Sequence, residues 1–249
     1  MDIALDKYNK DNIPFYVSCP KKDKSLFENV LGKKNYTLVL DEDIVSLKYP
    51  LDGWRSQQVV KASLWKLNIT NNYFSIDSDG YFIKDFYIND FIVEDDLPYT
   101  VIHDNKETQQ YRKLFFGTDF AKGGYAQAVN AYRDVFGSKY KRIYEYGGGC
   151  YIWSCKVWKH LEENYLKPNS FDFETFNIMM EQQYNIQMRE ALVYGEYLFN
   201  TKLFEIVPAG PYFKVYCWKE MVELEKANGL FDEEKLKSNF LGIIYQSKI

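Results

Sequence analysis

The chain has 249 residues, enough for one large α/β domain or two small ones. Its 46 % apolar content allows a substantial core, and a net charge of -4 with a pI near 5.4 argues against the basic surface of a nucleic-acid binder. No apolar run approaches the ~20 residues of a membrane span, and the opening stretch Met1 to Lys7 is too polar for a signal peptide. A cytoplasmic protein is therefore expected, with peripheral contact at the inner face of a membrane as the alternative to a freely diffusing one. Cys19, Cys150, Cys155 and Cys217 form no Cys-x-x-Cys pair, and His103 and His160 complete no zinc pattern, so free thiols are expected.

In chain order, Ile13 to Cys19 reads as a first strand stopped by Pro20. Ser25 to Leu31 fit a short helix closed by Gly32. Tyr36 to Leu40 is a second strand ending in Asp41-Glu42-Asp43. This β-α-β opening predicts a parallel sheet. A helix over Trp54 to Leu67 places Trp54, Gln58, Lys61 and Trp65 on one face. Pro98 to His103 reads as a strand, Lys106 to Leu114 as a helix, Asp119 to Gly124 as a loop and Tyr125 to Phe136 as a helix. Ile143 to Tyr146, Gly147 to Gly149 and Cys150 to Ser154 read as strand, glycine loop and strand. Helices follow over Cys155 to Leu166, Phe171 to Tyr184 (capped by Ser170 or Asp172) and Met188 to Asn200. Leu203 to Val207 reads as a strand ended by Pro208, and Tyr212 to Cys217 as another. Trp218 to Lys226 and Asp232 to Gln246 read as an amphipathic helical tail, packed on the domain or touching a membrane surface or partner. No repeat or linker interrupts the chain, so one domain is expected over 1–249.

The stretch with the most chemistry is Asn71 to Phe82. It starts as a short apolar strand and ends in Asp77-Ser78-Asp79-Gly80. Ligands of open α/β sheets bind beyond the carboxyl ends of strands. Residues two apart on an extended chain face the same side, so Asp77 and Asp79 can converge on one hard cation such as Mg²⁺ or Mn²⁺. The competing reading is an acidic turn. A calcium loop is excluded, because Tyr81, Phe82 and Ile88 occupy positions that need a carboxylate or amide, a glycine and a glutamate. The lysine clusters Lys21, Lys22, Lys24 and Lys139, Lys141, Arg142 read as solvated loops or phosphate contacts. Aromatic residues, at 18 %, suit a sugar-binding cleft or an aromatic core equally well.

Three stretches carry a resemblance. Phe15 to Asp23 is like the opening strand and Pro-x-x-Asp loop of a family of bacterial glycosyltransferase-like proteins of the DUF6492 type, built on the GT-A fold. Trp54 to Lys61 followed by Tyr73 to Asp79 is similar to its Gln-Gln-x-x-Lys helix and Asp-Ser-Asp strand. Glu190 to Tyr197 resembles its Tyr-Gly-x-Tyr segment. The resemblance implies a GT-A-like single domain with a mostly parallel central sheet. Its nucleotide-sugar-binding half would span about 13–110 and its acceptor-side half about 111–217, with the helical tail over 218–249. It implies transfer of a sugar from a nucleotide-diphosphate sugar to a glycan or lipid-linked acceptor, in bacterial surface-polysaccharide synthesis. Asp77 and Asp79 would hold Mn²⁺ or Mg²⁺ on the donor diphosphate. Val17, Ser18, Asp41 and Asp43 would lie near base and ribose, and Gln58 and Lys61 would face the donor. Glu190 is the expected catalytic base, with pairing to Arg189 or Lys202 as its structural alternative and Glu196 and Asp172 as lesser candidates. Arg189 and Leu192 depart from the family pattern, and no histidine follows His160 to complete a metal site. These departures motivate a second reading, a non-catalytic glycan- or partner-binding module. A nucleotidyltransferase would need a glycine-rich loop, which Ser18 to Lys21 lacks.

Overall fold

The computed structural model describes residues 2–32, 35–94, 96–118 and 123–246. The chain is mixed α/β, 48 % helical and 17 % strand, so helices carry most of the packing. The elements run α1 (Asp2–Tyr8), β1 (Tyr16–Cys19), α2 (Lys24–Leu31), β2 (Thr37–Leu40), α3 (Asp41–Ile44), α4 (Gly53–Ser63), β3 (Asn72–Ile76), β4 (Gly80–Phe82) and β5 (Tyr99–Val101). There follow α5 (Lys106–Phe116), α6 (Gly124–Phe136), β6 (Cys150–Ser154), α7 (Cys155–Leu161), α8 (Phe173–Tyr184), α9 (Glu190–Thr201), β7 (Val207–Ala209), β8 (Phe213–Tyr216), α10 (Lys219–Ala227), α11 (Glu233–Leu236) and β9 (Gly242–Tyr245). The loop expected over Asp119 to Gly124 falls mostly on 119–122, outside the described residues.

The strands pair in four small sets: β1 with β2 and β5 with β7, both parallel; β3 with β6, antiparallel; and β4-β9-β8, mixed. The β1-α2-β2 opening is parallel as its pattern predicts. The Asp77 strand is not: β3 runs antiparallel to β6, with Ile76 opposite Cys150 and Asn72 opposite Ser154.

The largest correction is at the carboxyl end. The helical tail expected over Asp232 to Gln246 is helical only at α11, and Gly242–Tyr245 is the middle strand of its sheet, between β4 and β8. Ile243 and Ile244 are both buried, one on each face. Two adjacent β-branched residues with both sides covered fit a strand flanked on two edges, not a one-sided helix. Pro208 does not end a strand but lies within β7, at the edge of a two-stranded pair, where its missing N–H costs nothing. Ile143 to Tyr146 contributes only a single bridge, Glu145 to His103.

The main core lies among α4, α6, α7, α8 and α9 and is built on Trp153, Trp158, Tyr194 and Phe176. A second core of Phe74, Phe82, Phe86, Phe91 and Phe213 lies under β3 and β4. The aromatic content is thus largely spent in the interior. Gln58, Lys61 and Glu190 come to the edge of the main core because α4 and α9 both pack there, each with a polar residue beside its apolar stripe.

Candidate functional site

Asp52 caps α4, accepting from the Arg55 N–H at 2.9 Å. One face of that helix then carries Gln58, which is buried, and Lys61, whose side chain is 14 % exposed. Trp54 and Trp65, expected on the same face, do not join them at the site: Trp54 is 45 % exposed, and Trp65 packs against the main core. The Tyr73 hydroxyl donates to the Lys61 carbonyl at 3.0 Å and so ties α4 to β3.

Beyond Ile76 the chain leaves β3 with the Asp77 N–H donating to the Gly149 carbonyl at 3.1 Å, and Gly80 turns back onto the Asp77 carbonyl at 3.1 Å. Gly149 has φ +87°, and a Cβ there would meet Ile244 at 2.8 Å and lie 3.8 Å from Asp77 Oδ2. The glycine run therefore serves close packing beneath the Asp77 turn.

The Lys61 Nζ donates to Asp77 Oδ1 at 2.5 Å and to Glu190 Oε1 at 3.3 Å. Glu190 opens α9, where the helix terminus favours a carboxylate. Its backbone N–H donates to Gln58 Oε1 at 3.2 Å. Gln58, Lys61, Asp77 and Glu190, predicted separately, thus come together from α4, the end of β3 and the start of α9. Burial pushes the Glu190 carboxyl up, and the Lys61 charge reverses only part of that. Burial pulls Lys61 down, but Glu190 and Asp77 outweigh it and leave the ammonium more firmly protonated than usual. Glu190 pairs with Lys61, not with Arg189 or Lys202. Arg189 is exposed, its guanidinium 5.9 Å from the centre of the Tyr125 ring.

Asp79 follows two residues after Asp77, half-buried, and its carbonyl accepts from the Tyr245 N–H at 3.2 Å. Among the described residues no group of three or more His, Cys, Asp and Glu side chains is arranged to hold a metal. Lys61 already places positive charge on Asp77.

The other predicted residues lie at the ends of β1 and β2. Val17 is half-buried, Ser18 and Asp43 are exposed, and Asp41 starts α3. Burial raises the Asp41 carboxyl, with a Ser18 hydrogen bond opposing it. Asp41 Oδ1 is enclosed and has no hydrogen-bond partner among the described residues. Charges of both signs meet at this end: Asp41, Asp23, Glu42 and Glu28 all add to the burial that raises the Cys19 thiol, and Lys21, Lys22 and Lys24 follow β1 directly.

The lesser candidates have structural tasks. Glu196 is wholly buried and takes both arms of Arg133, at 2.9 and 3.0 Å, and the Tyr146 hydroxyl at 3.0 Å. Asp172 caps α8 through the Thr175 N–H at 2.8 Å. His160 Nδ1 lies 2.8 Å from the Tyr197 hydroxyl. Arg142 pairs with Asp104 at 2.6 Å.

One carboxylate escaped the sequence reading. Glu145 accepts from the Asn105 side-chain amide at 3.0 Å. Burial pushes it up to about 7, against the Asn105 amide, the Arg189 charge and the Tyr125 hydroxyl. The available signal was a lone glutamate between two tyrosines just before three glycines. A cavity of about 440 Å³, lined by Tyr140, Phe199, Lys202, Phe204, Glu205 and Ile206, shares no residue with any of these sets.

A family model matches residues 3–167, two thirds of the chain. The chain belongs to the family of unknown function DUF6492. The matched stretch contains the β1 end, α4 and the Asp77 turn, and it stops before Glu190 to Tyr197. No curated protein matches the chain. Among the described residues no helix is long and apolar enough to cross a membrane.

Proposed function

We propose that this DUF6492 protein is a glycosyltransferase that moves a sugar from a nucleotide-diphosphate sugar to a glycan or lipid-linked acceptor, on a GT-A-like scaffold. The observation that carries the reading is Lys61, a buried ammonium shared between Asp77 and Glu190 at the carboxyl end of β3. A lysine held charged at a strand end can meet a diphosphate and stabilise the negative charge that grows on it as the sugar leaves. Glu190 and Gln58 hold that lysine and the start of α9 in register. Asp77 and Asp79 are the residues that would hold Mn²⁺ or Mg²⁺, which when bound supplies further neutralisation of the departing diphosphate.

The sequence resemblance puts the nucleoside at the β1–β2 end, where Ser18 and Asp41 lie side by side, and Lys61 offers its charge to the diphosphate. The same site suits the cytoplasmic, polysaccharide-forming role implied by the sequence resemblance. A glycan-binding module without turnover is the competing reading, favoured by Arg189, which stands exposed where the resemblance leads one to expect serine.

The test is thermal unfolding against uridine, guanosine, adenosine and thymidine diphosphates and their sugars, with and without Mn²⁺. A ligand bound only by the native state raises the midpoint, by ~3 kcal/mol of stabilisation at a hundredfold excess over Kd. A Mn²⁺-dependent rise with one nucleotide, lost in Asp79→Ala, is expected. A rise with saccharide alone and none with any nucleotide would leave the binding module standing.

A further inference from the structure

We propose that Tyr151 is a second phosphate-binding residue of the Lys61 site, its hydroxyl donating to the diphosphate of the nucleotide. The proposal rests on the transferase reading and names a further group that holds its donor. Strand alternation places the side chain. Tyr151 stands opposite Ser75 in the β3–β6 ladder, and Trp153 stands opposite Tyr73. Phe74, Ile76, Cys150 and Ile152 fill the second core on one face of that pair. Tyr73, Tyr151 and Trp153 pack on the other face, against the main core. Asp77 is the next residue on the side of Tyr73 and Ser75. It is thus the diagonal neighbour of Tyr151, at a spacing of ~7–8 Å that an aromatic side chain can span. Lys61, which binds Asp77, has its Nζ 5.7 Å from the centre of the Tyr151 ring.

The ring is fixed on two sides. Trp153 stacks on it with centroids 4.8 Å apart and planes at 8°. Gly147 lies against its edge, where a Cβ would come within 2.1 Å of Tyr151 Cε1. Any side chain at position 147 would therefore displace the ring. The Gly147 carbonyl is itself held, 2.9 Å from His103 Nε2. At the other end of the glycine run, the Gly149 carbonyl takes the Asp77 N–H at 3.1 Å. One short stretch of backbone thus supports both the Tyr151 ring and the Asp77 turn. A side chain locked by packing on a rigid element is suited to hold a ligand in a fixed place.

The hydroxyl is what the packing leaves over. In the same core Tyr73, Tyr146 and Tyr165 donate to protein acceptors, and the Tyr194 oxygen takes the Ser154 N–H. The Tyr151 hydroxyl makes no such bond among the described residues, and its oxygen is not enclosed. It is a directed donor beside an ammonium, and phosphate oxygens accept from both kinds of group. A second donor also answers a shortfall in charge. A phosphate approaching Lys61 meets Asp77 and Glu190 as well, two carboxylates beside one ammonium. A neutral hydroxyl adds a hydrogen bond there without adding repulsion. Burial, with Glu190 and Asp77 adding to it, keeps the phenol protonated, so that it remains a donor.

Calorimetric titration of the full chain tests this, with Mg²⁺ present throughout. The titrants are the nucleoside diphosphate that raises the wild-type midpoint and the matching nucleoside. Tyr151→Phe removes one oxygen and keeps the ring between Trp153 and Gly147, so its Tm should match wild type. It should bind the nucleoside diphosphate at least about tenfold more weakly, the loss of one hydrogen bond to a charged group. Its affinity for the nucleoside should not change. A smaller loss for the diphosphate overturns the proposal. So does an equal loss for the nucleoside, which is what a packing role alone would give. Phosphorus NMR of the bound diphosphate gives a reading that does not depend on affinity. At least one phosphate resonance should move between wild type and Tyr151→Phe, and superimposable spectra overturn the assignment. Binding of no nucleotide by wild type is a separate failure: it overturns the transferase reading, and the role of Tyr151 with it, before any variant is made.

Discussion

Lys61→Met removes one charge and keeps most of the side-chain volume. In the wild-type protein the ammonium stands 2.5 Å from Asp77 and 3.3 Å from Glu190, whose side chains are 33 % and 6 % exposed. Breaking a buried pair by removing one partner costs ~3–5 kcal/mol, because the remaining charge stays desolvated. The Asp77 share is small, since a third-exposed carboxylate recovers water and such pairs contribute only ~0–1 kcal/mol. Most of the loss therefore falls on Glu190, and about 3 kcal/mol is expected at neutral pH. For a chain of this size that is a fall in Tm of ~6–12 °C. The pH dependence follows from the sign of the Glu190 shift. Its folded pKa is already raised by burial and rises further without the ammonium. A carboxyl with a raised folded pKa costs nothing below its unfolded pKa, and the cost grows as pH climbs toward the folded value. The gap between wild type and variant should accordingly narrow from pH 7 to pH 5. Urea unfolding followed by the fluorescence of the buried Trp153 and Trp158 measures it. Adding Glu190→Gln to Lys61→Met should restore more than half of the loss. A gap under ~1 kcal/mol at pH 7, or one unchanged between pH 5 and 8, would refute an ionised Glu190 held by Lys61.

Wild type should also lose stability as pH rises from about 4.5 to about 7, because Glu145 binds its proton more tightly when folded. The shift corresponds to at most ~3 kcal/mol, and urea midpoints of Glu145→Gln should lack that part of the slope. Glu196→Ala should cost ~3–5 kcal/mol by leaving buried Arg133 without its bidentate partner, read as a lowered Tm with no change in nucleotide affinity per folded molecule. Gly195→Ala should destabilise by at least the ~1–3 kcal/mol typical of overpacking. Its Cβ would sit 2.1 Å from the Tyr146 ring. A wild-type Tm for either variant counts against the packing of α9 described above.

Local pattern carried far in this sequence, and the failures share a cause. The α2, α6 and α8 helices were readable because their ends carry position-specific chemistry: Gly32 and Gly137 at positive φ, and Asp172 as a cap. Gln58, Lys61, Asp77 and Glu190 were singled out one at a time, but no spacing rule says that residues 61 and 190 touch. That fact belongs to the packing of α4 on α9. The β9 strand was missed because Ile243 and Ile244 break both the strand alternation and the helical stripe once both faces are covered. Glu145 was missed because a raised carboxyl is a property of what surrounds it: Asn105, Tyr125 and Arg189 arrive from 40, 20 and 44 residues away in sequence.

Two buried cation–carboxylate groups sit on the same helix, and their difference bears on what each is for. Arg133 and Glu196 close on each other with two matched bonds, and Tyr146 and the Arg142 carbonyl take what remains. Both carboxylate oxygens of Glu196 are engaged, and both groups are buried. Lys61 is a point charge with three hydrogens, divided between two carboxylates on different elements, one of them a third open to solvent. As a stabilising device that is inferior, since a buried pair returns its desolvation cost only with good geometry and full hydrogen bonding. The closed version is built within α9 and the open one at the start of the same helix, where Lys61 contacts both of its carboxylates at once. A diphosphate arriving at the strand end would be one more partner for it, and the charge it brings is the kind that a lysine held between Asp77 and Glu190 can meet at small reorganisation cost.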